Sequence, residues 1–419
     1  MHVILITIGS HGDVHPFVGI GQRLAARGHD VTIATNPFFR SLVEGAGVRF
    51  KPIGTRDQYV QLTSNPDVWH PRKGGPAVLG GAAAGSGMVY ELIQKYATAD
   101  TVVAGSSLAF GGLIAAEKLG LRYATIHLAP MCIRSHVEMP VLPPGISFNW
   151  MPMWMRRKFW DGADKWFIDP PIAPHLNALR GRLGLAPITR VLNWWNAPLR
   201  TIGLWPDWWG PVLSDWPEQV RLAGFPLYDE ADVTPLAPEL DAWLSAGDAP
   251  IAFTPGSAMK FGQRFFTVAA DACRRLGRRG ILLTRHPEQI PSSLPAGVRH
   301  VDFAPFGTLL PRCGAIVHHG GIGTTAQAMR AGLPQLIMPM SHDQPDNAAR
   351  VKRLLCGDAV SVRGFTPRRV ARKLDRLLSD PVLADACRKV ATRFDGADGI
   401  GRACQLLEEL LEAPQPLPV

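Results

Sequence analysis

Gly9-Ser10-His11-Gly12-Asp13-Val14-His15-Pro16 follows the apolar run VILI at residues 3–6 and opens a helix-like pattern. An acid and two imidazoles therefore stand where a buried strand hands over to a helix. A carboxylate or an imidazole at such a turn can take the proton of an incoming hydroxyl, and an imidazole has the better matched pKa near neutrality. Asp13 ranks first for that role and His15 second, with His11 competing. As a plainer alternative, Asp13 caps the helix that begins there. Pro16 pre-sets the first helical turn, so His15 could equally just line the site.

A second such junction follows the run GAIV: His318-His319-Gly320-Gly321-Ile322-Gly323-Thr324-Thr325. Its glycines let backbone approach a ligand closely, and its threonines stand at a helix start, where free N–H groups and hydroxyls favour an anion. The pattern predicts a phosphate cradle. After the next helix and the strand LIMP comes His342-Asp343-Gln344, a carboxylate beside an amide, which suits neighbouring sugar hydroxyls.

The elements that must hold these loops are legible as an alternation. VILITI, VGIGQRLAARG, DVTIAT and TVVAGS recur as strand, helix, strand, strand; the rhythm restarts after residue 249 with PIAFTPGS, GILLTR and LLPRCGAIV. That predicts parallel βαβ units in an α/β fold with two doubly wound, Rossmann-like domains. A chain of 419 residues exceeds one ordinary core. Its six cysteines form no CxxC pair, which argues against a disulfide framework or structural zinc. No run of about 20 apolar residues could span a bilayer. The N-terminus lacks a basic leader, so the chain is expected to start as a first strand in the cytoplasm. The net charge of +9 favours anionic partners, and most of the Arg and Lys fall in solvated helical patterns. Asp346 and Asp358 look like surface acids.

HHGGIGTT…AGLPQLIMP…DQPDNA resembles the donor-site signature of the family 1 glycosyltransferases, and GSHGDVHPFVGIGQRL resembles the opening loop of their bacterial members. The sequence is most similar to bacterial members with lipid, sterol or polyketide-like acceptors, including the rhamnosyltransferase of rhamnolipid synthesis. The resemblance implies a GT-B fold, with two such domains facing a cleft: an acceptor domain over 1–224, a linker over 225–245, a donor domain over 246–398, and a terminal helix in 399–419 that crosses back. It implies that His319, Gly321, Thr324 and Thr325 surround the donor diphosphate, with Gly256 and Ser257 as a second phosphate-facing turn. It implies that Phe303, Phe306 and Gln327 lie at the nucleoside and that Asp343 and Gln344 hold the sugar. Gln327 stands where a ribose-gripping glutamate is usual, which leaves uridine and deoxythymidine donors both open.

The reaction implied is transfer of a sugar from UDP-hexose or dTDP-rhamnose to an acceptor hydroxyl, with inversion and with Asp13 as base. The nucleotide-sugar is then a substrate; no cofactor, no metal and no nucleic-acid partner is expected. Ten of the twelve tryptophans lie between residues 150 and 216. Trp150, Trp154, Trp160 and Trp166 recur beside Arg156-Arg157-Lys158, which predicts an apolar acceptor entering a pocket lined by part of residues 130–210, or peripheral contact with a membrane. Packing of loose loops is the other reading. A nucleotide-sugar 2-epimerase or a silent binding protein shares the architecture, and a dinucleotide oxidoreductase fits less well, since no GxGxxG follows the first strand.

Overall fold

The computed structural model describes residues 1–230, 234–414 and 417. The chain forms two compact units. The first comprises Met1–Val141, Ile146–Pro226 and Asp398–Val419, and the second comprises Leu142–Gly145 and Leu227–Ala397.

The first unit holds seven parallel strands: β1 (His2–Ile6), β2 (Asp30–Thr35), β3 (Arg49–Pro52), β4 (Thr101–Ser106), β5 (Arg122–His127), β6 (Arg200–Gly203) and β7 (Val220–Leu222), in the order β3-β2-β1-β4-β5-β6-β7. The second holds six: β8 (Ile251–Thr254), β9 (Gly280–Leu283), β10 (Val298–Val301), β11 (Ala315–His318), β12 (Gln335–Ile337) and β13 (Gly357–Ala359), in the order β10-β9-β8-β11-β12-β13. All pairings are parallel.

Parallel sheets are covered on both faces, which is why these strands read as unbroken apolar runs. In the second unit, Ile251, Phe253 and Val317 pack in one core while Ala252 and Ile316 pack in the other. Successive residues of a strand thus feed opposite faces. Part of the sequence predicted as linker belongs to that packing: residues 238–245 form the helix Pro238–Ser245, and its Leu240 and Leu244 are buried against the second sheet. Two apolar residues four apart were too weak a period to stand out beside three prolines. Residues 231–233 of that linker, and 415, 416, 418 and 419 of the terminal segment, lie outside the described residues.

The returning helix Gly399–Glu408 lies on the helix His11–Ala26, which carries Asp13 in its first turn. Cys404, Leu406, Leu407 and Leu410 are fully buried. Arg27 and His29 both reach Glu408, at 2.8 and 2.9 Å. These ion pairs are partly wet and add little; the buried leucines carry the contact. Leu407→Ala should therefore lower the stability of the first unit by roughly 2–5 kcal/mol. Calorimetry would show an earlier transition for that unit, with the second unit's transition unmoved.

Candidate functional site

Each sheet reverses its strand order once, beside β1 and β4 in the first unit and beside β8 and β11 in the second. Chains leaving the carboxyl ends of those neighbours turn to opposite faces, and the gap between them is where α/β sheets bind ligands. The loops after β1 and β11 are the two singled out by sequence.

In the first unit Ser10 caps the helix and Asp13 is its third residue. The Asp13 Oδ2 accepts from the Ser10 N–H at 2.7 Å and from the Ser10 hydroxyl at 3.1 Å. The carboxylate thus completes the cap of the helix it stands in. The turn demands Gly9, whose φ is +140° and whose Cβ would lie 2.2 Å from Asp13 Oδ2. His11 and His15 stack edge-on at 5.6 Å on another side of the helix. Phe39 and Phe38 pack on His11 at 4.9 and 5.8 Å, and Tyr59 packs on Phe38 at 4.6 Å. Burial, reinforced by the Asp13 charge, pushes the Tyr59 hydroxyl well above its ordinary pKa. The Tyr59 hydroxyl near the carboxylate is therefore neutral.

In the second unit the His319 ring sits in a cradle of glycines. A Cβ on Gly256 would lie 2.9 Å from its Cε1, and one on Gly321 would lie 2.5 Å from its Nε2. The His319 Nδ1 is buried without a hydrogen-bond partner. Burial, with His342 nearby, lowers its pKa to about 4, so the ring is neutral. Gly321 caps the helix Ile322–Arg330 without a side chain, leaving first-turn N–H groups to an incoming anion. Behind it, His318 accepts from the Gly320 N–H at Nδ1 and meets Gln335 Oε1 at 2.9 Å, which fixes a proton on Nε2.

Asp343 is tied to this loop. The Asn347 amide donates to Asp343 Oδ2 at 2.7 Å and to the Gly320 carbonyl at 2.9 Å. Burial pushes the Asp343 carboxyl up to about 6, against the Asn347 hydrogen bond. Ser257 is exposed at the end of the β8 turn, and Thr324 is half-buried at the start of its helix. Phe303, just past β10, has the Arg285 guanidinium 4.7 Å over its ring. Phe306 packs partly into the second core, and Gln327 is buried.

Comparison with known proteins decides the family. Residues 3–136 match the glycosyltransferase family 28 N-terminal domain, and residues 280–397 match the erythromycin biosynthesis protein CIII-like C-terminal domain. The chain is 30% identical to O-mycaminosyltylonolide 6-deoxyallosyltransferase of Streptomyces fradiae, covering 98% of each protein. It belongs to the family 1 glycosyltransferases. Its fold is also that of the kitacinnamycin glycosyltransferase, with a TM-score of 0.76, 22% identity, and 98% and 99% of the two chains covered. It is likewise that of the glycosyltransferase VinC in complex with dTDP, with a TM-score of 0.70, 21% identity, and 99% and 100% covered.

Several residues of this glycosyltransferase stand differently from the sequence expectation. Thr325 is fully buried, and its hydroxyl donates to the Gly321 carbonyl at 2.9 Å, so it shapes the turn instead of offering an O–H to phosphate. Gln344 spends its amide oxygen on the N–H groups of Met340 and Ser341, at 2.8 and 3.2 Å. Only its NH₂ is left for a sugar. Asp346 is no surface acid: it is 4% exposed and pairs with Arg350 at 2.7 Å. Asp358 is half-buried, held below the usual carboxylate range by Lys373 and Lys352 against its own burial.

The tryptophans divide. Trp150, Trp154 and Trp166 are 76%, 59% and 67% exposed, whereas Trp160 is buried and donates to the Ser135 carbonyl at 3.0 Å. Trp195, Trp205, Trp209 and Trp216 are buried as well. Arg156 staples the neighbouring loop through the carbonyls of His136, Val137 and Met151. A cavity of about 400 Å³ does lie in residues 130–220, and it is polar: Arg134, His136, Arg157, Asp161, Arg190 and Asp215 line it. Of that cavity's lining only Ile133 and Pro217 are apolar, and the larger apolar surface is the exposed ring set.

Two outcomes test the donor half. Gly321→Ala should weaken dTDP or UDP binding at least about tenfold by titration calorimetry, since the new methyl displaces His319. The raised Asp343 pKa means that the fold favours its protonated form. Its contribution to stability is full below about pH 4 and lost as pH rises through about 6. Asp343→Asn should therefore raise the second unit's melting temperature at pH 8 and leave it unchanged at pH 4.

Proposed function

We propose that this glycosyltransferase moves a sugar from a dTDP- or UDP-linked donor to a hydroxyl of an apolar acceptor, such as a hydroxyacyl lipid, sterol or aromatic aglycone, by a single inverting displacement. The observation that carries the donor half is the orphaned, buried His319 Nδ1 beside a helix start with no side-chain cap. A diphosphate supplies acceptors for such donors, and both neutralise charge as the leaving group departs. The dTDP complex of VinC supports a deoxythymidine donor. No metal is needed in this scheme, because the chain's own N–H groups and imidazole meet the diphosphate.

On the acceptor side, the hydroxyl proton passes to the Asp13 carboxylate while the oxygen attacks the anomeric carbon from the face opposite the diphosphate. The bond from that carbon to the phosphate oxygen breaks, and the configuration inverts. The exposed rings Trp150, Trp154 and Trp166 favour an apolar acceptor. Lys158 and Lys165 lie over Trp154 and Trp166, at 5.3 and 4.9 Å, a combination that also suits peripheral contact with an anionic lipid surface. No helix among the described residues is long and apolar enough to cross a membrane.

The reading is tested by nucleoside diphosphate release from dTDP-rhamnose or UDP-glucose, with and without a hydroxylated acceptor. Release that does not depend on an acceptor would overturn it. Asp13→Asn keeps an amide oxygen for the Ser10 N–H and so keeps the cap, while removing the base. Turnover should fall at least about a hundredfold with donor affinity unchanged. Loss confined to His15→Ala would move the base to that imidazole.

A further inference from the structure

A hydrogen-bonded chain in the first unit takes no part in this scheme. Ser107 Oγ meets His127 Nδ1 at 2.7 Å, and His127 Nε2 meets Asn196 Oδ1 at 3.0 Å. Its polarity is fixed from one end. The Asn196 NH₂ donates to the Leu192 and Asn193 carbonyls, each at 3.2 Å, so the oxygen of that amide faces the imidazole. His127 must then carry its proton on Nε2 and present a bare Nδ1 to Ser107. The Ser107 hydroxyl hydrogen is committed to that nitrogen, and its oxygen has only lone pairs left to offer.

The ring cannot reverse this by charging. His127 is fully buried and packs at a tilt on Trp195 at 5.2 Å, and burial lowers its pKa to about 4. Ser107 itself is half-exposed, one residue past β4. β4 is the strand beside β1 at the order reversal, and the Ile8 N–H donates to Ser106 Oγ at 3.3 Å, which laces the two outgoing loops together. The committed oxygen therefore stands at the carboxyl edge from which the Asp13 loop also leaves.

We propose that Ser107 is a specificity-determining subsite of the acceptor domain that accepts a hydrogen bond from a second donor group of the acceptor, a hydroxyl or N–H next to the hydroxyl being glycosylated. His127 and Asn196 are its positioning residues. The group read by Ser107 is a second one because the reacting hydroxyl has a single proton, which goes to Asp13. Acceptors carrying adjacent hydroxyls are preferred over those with one masked. The inference rests on the glycosyl-transfer reading only for the use made of the bound acceptor.

Binding tests it without turnover. Esculetin, 6,7-dihydroxycoumarin, and its 6-methyl ether differ only in that second hydroxyl, and their fluorescence reports binding to the full chain. The parent should bind the diol about tenfold tighter, Ser107→Ala should bring the ratio to about one, and Ser107→Thr should restore it. Long-range ¹⁵N–¹H NMR should place the His127 proton on Nε2. A ratio unchanged in Ser107→Ala, binding of neither coumarin, or a proton on Nδ1 would overturn the proposal. Diphosphate release without this discrimination would sink the subsite and leave the transfer standing; discrimination without release would do the reverse.

Discussion

The reversal of strand order in each parallel sheet is the constraint from which the chemistry of this chain follows. Strands β1 and β4, and again β8 and β11, run side by side in the same direction, yet their outgoing chains must pass to opposite faces. Backbone groups in the outgoing loops need partners from a loop or a helix start, as the Ile8 N–H finds in Ser106 Oγ. The candidate base, the glycine cradle and the Ser107 relay all stand at these two reversals. The returning helix Gly399–Glu408 buries its leucines on the helix that carries Asp13, so the position of that carboxylate depends on residues nearly four hundred positions away.

The two reversals are finished by different local physics. In the first unit a carboxylate closes a helix start, and Gly9 gives way to it in a backbone conformation that other residues resist. In the second a helix start is left open, and glycines give way to an imidazole. One turn thus presents a carboxylate, and the other presents N–H groups and the partial positive charge of a helix start.

Much of this was legible because glycine and charge leave marks that do not depend on tertiary context. The strand runs, the glycine-rich turn at 318–325 and the acid in the first helical turn were visible as residue types at characteristic spacings. Thr325 and Gln344 share one feature that the sequence does not show: a polar side chain in a motif looks free for a ligand until the backbone it satisfies is seen. The helix Pro238–Ser245 was read as linker because prolines masked a two-leucine stripe. Ser107, His127 and Asn196 carried no signal at all. They are 20 and 69 positions apart and meet because β5 lies between β4 and β6 in the sheet.

The histidines show how burial sets the kind of electrostatics each unit can use. His127, His318 and His319 are pushed to about 4, 3 and 4, chiefly by desolvation, so each is a neutral ring whose proton position is decided by its partners. A permanently charged imidazolium would attract an anion more strongly, but it would cost several kcal/mol to bury. A neutral ring avoids that cost and still offers one N–H along a fixed line. For His318 and His127 the line is drawn by an amide, from Gln335 and from Asn196. His319 lacks such a partner at Nδ1, and among these three buried rings it is the one whose orientation a ligand is left to complete.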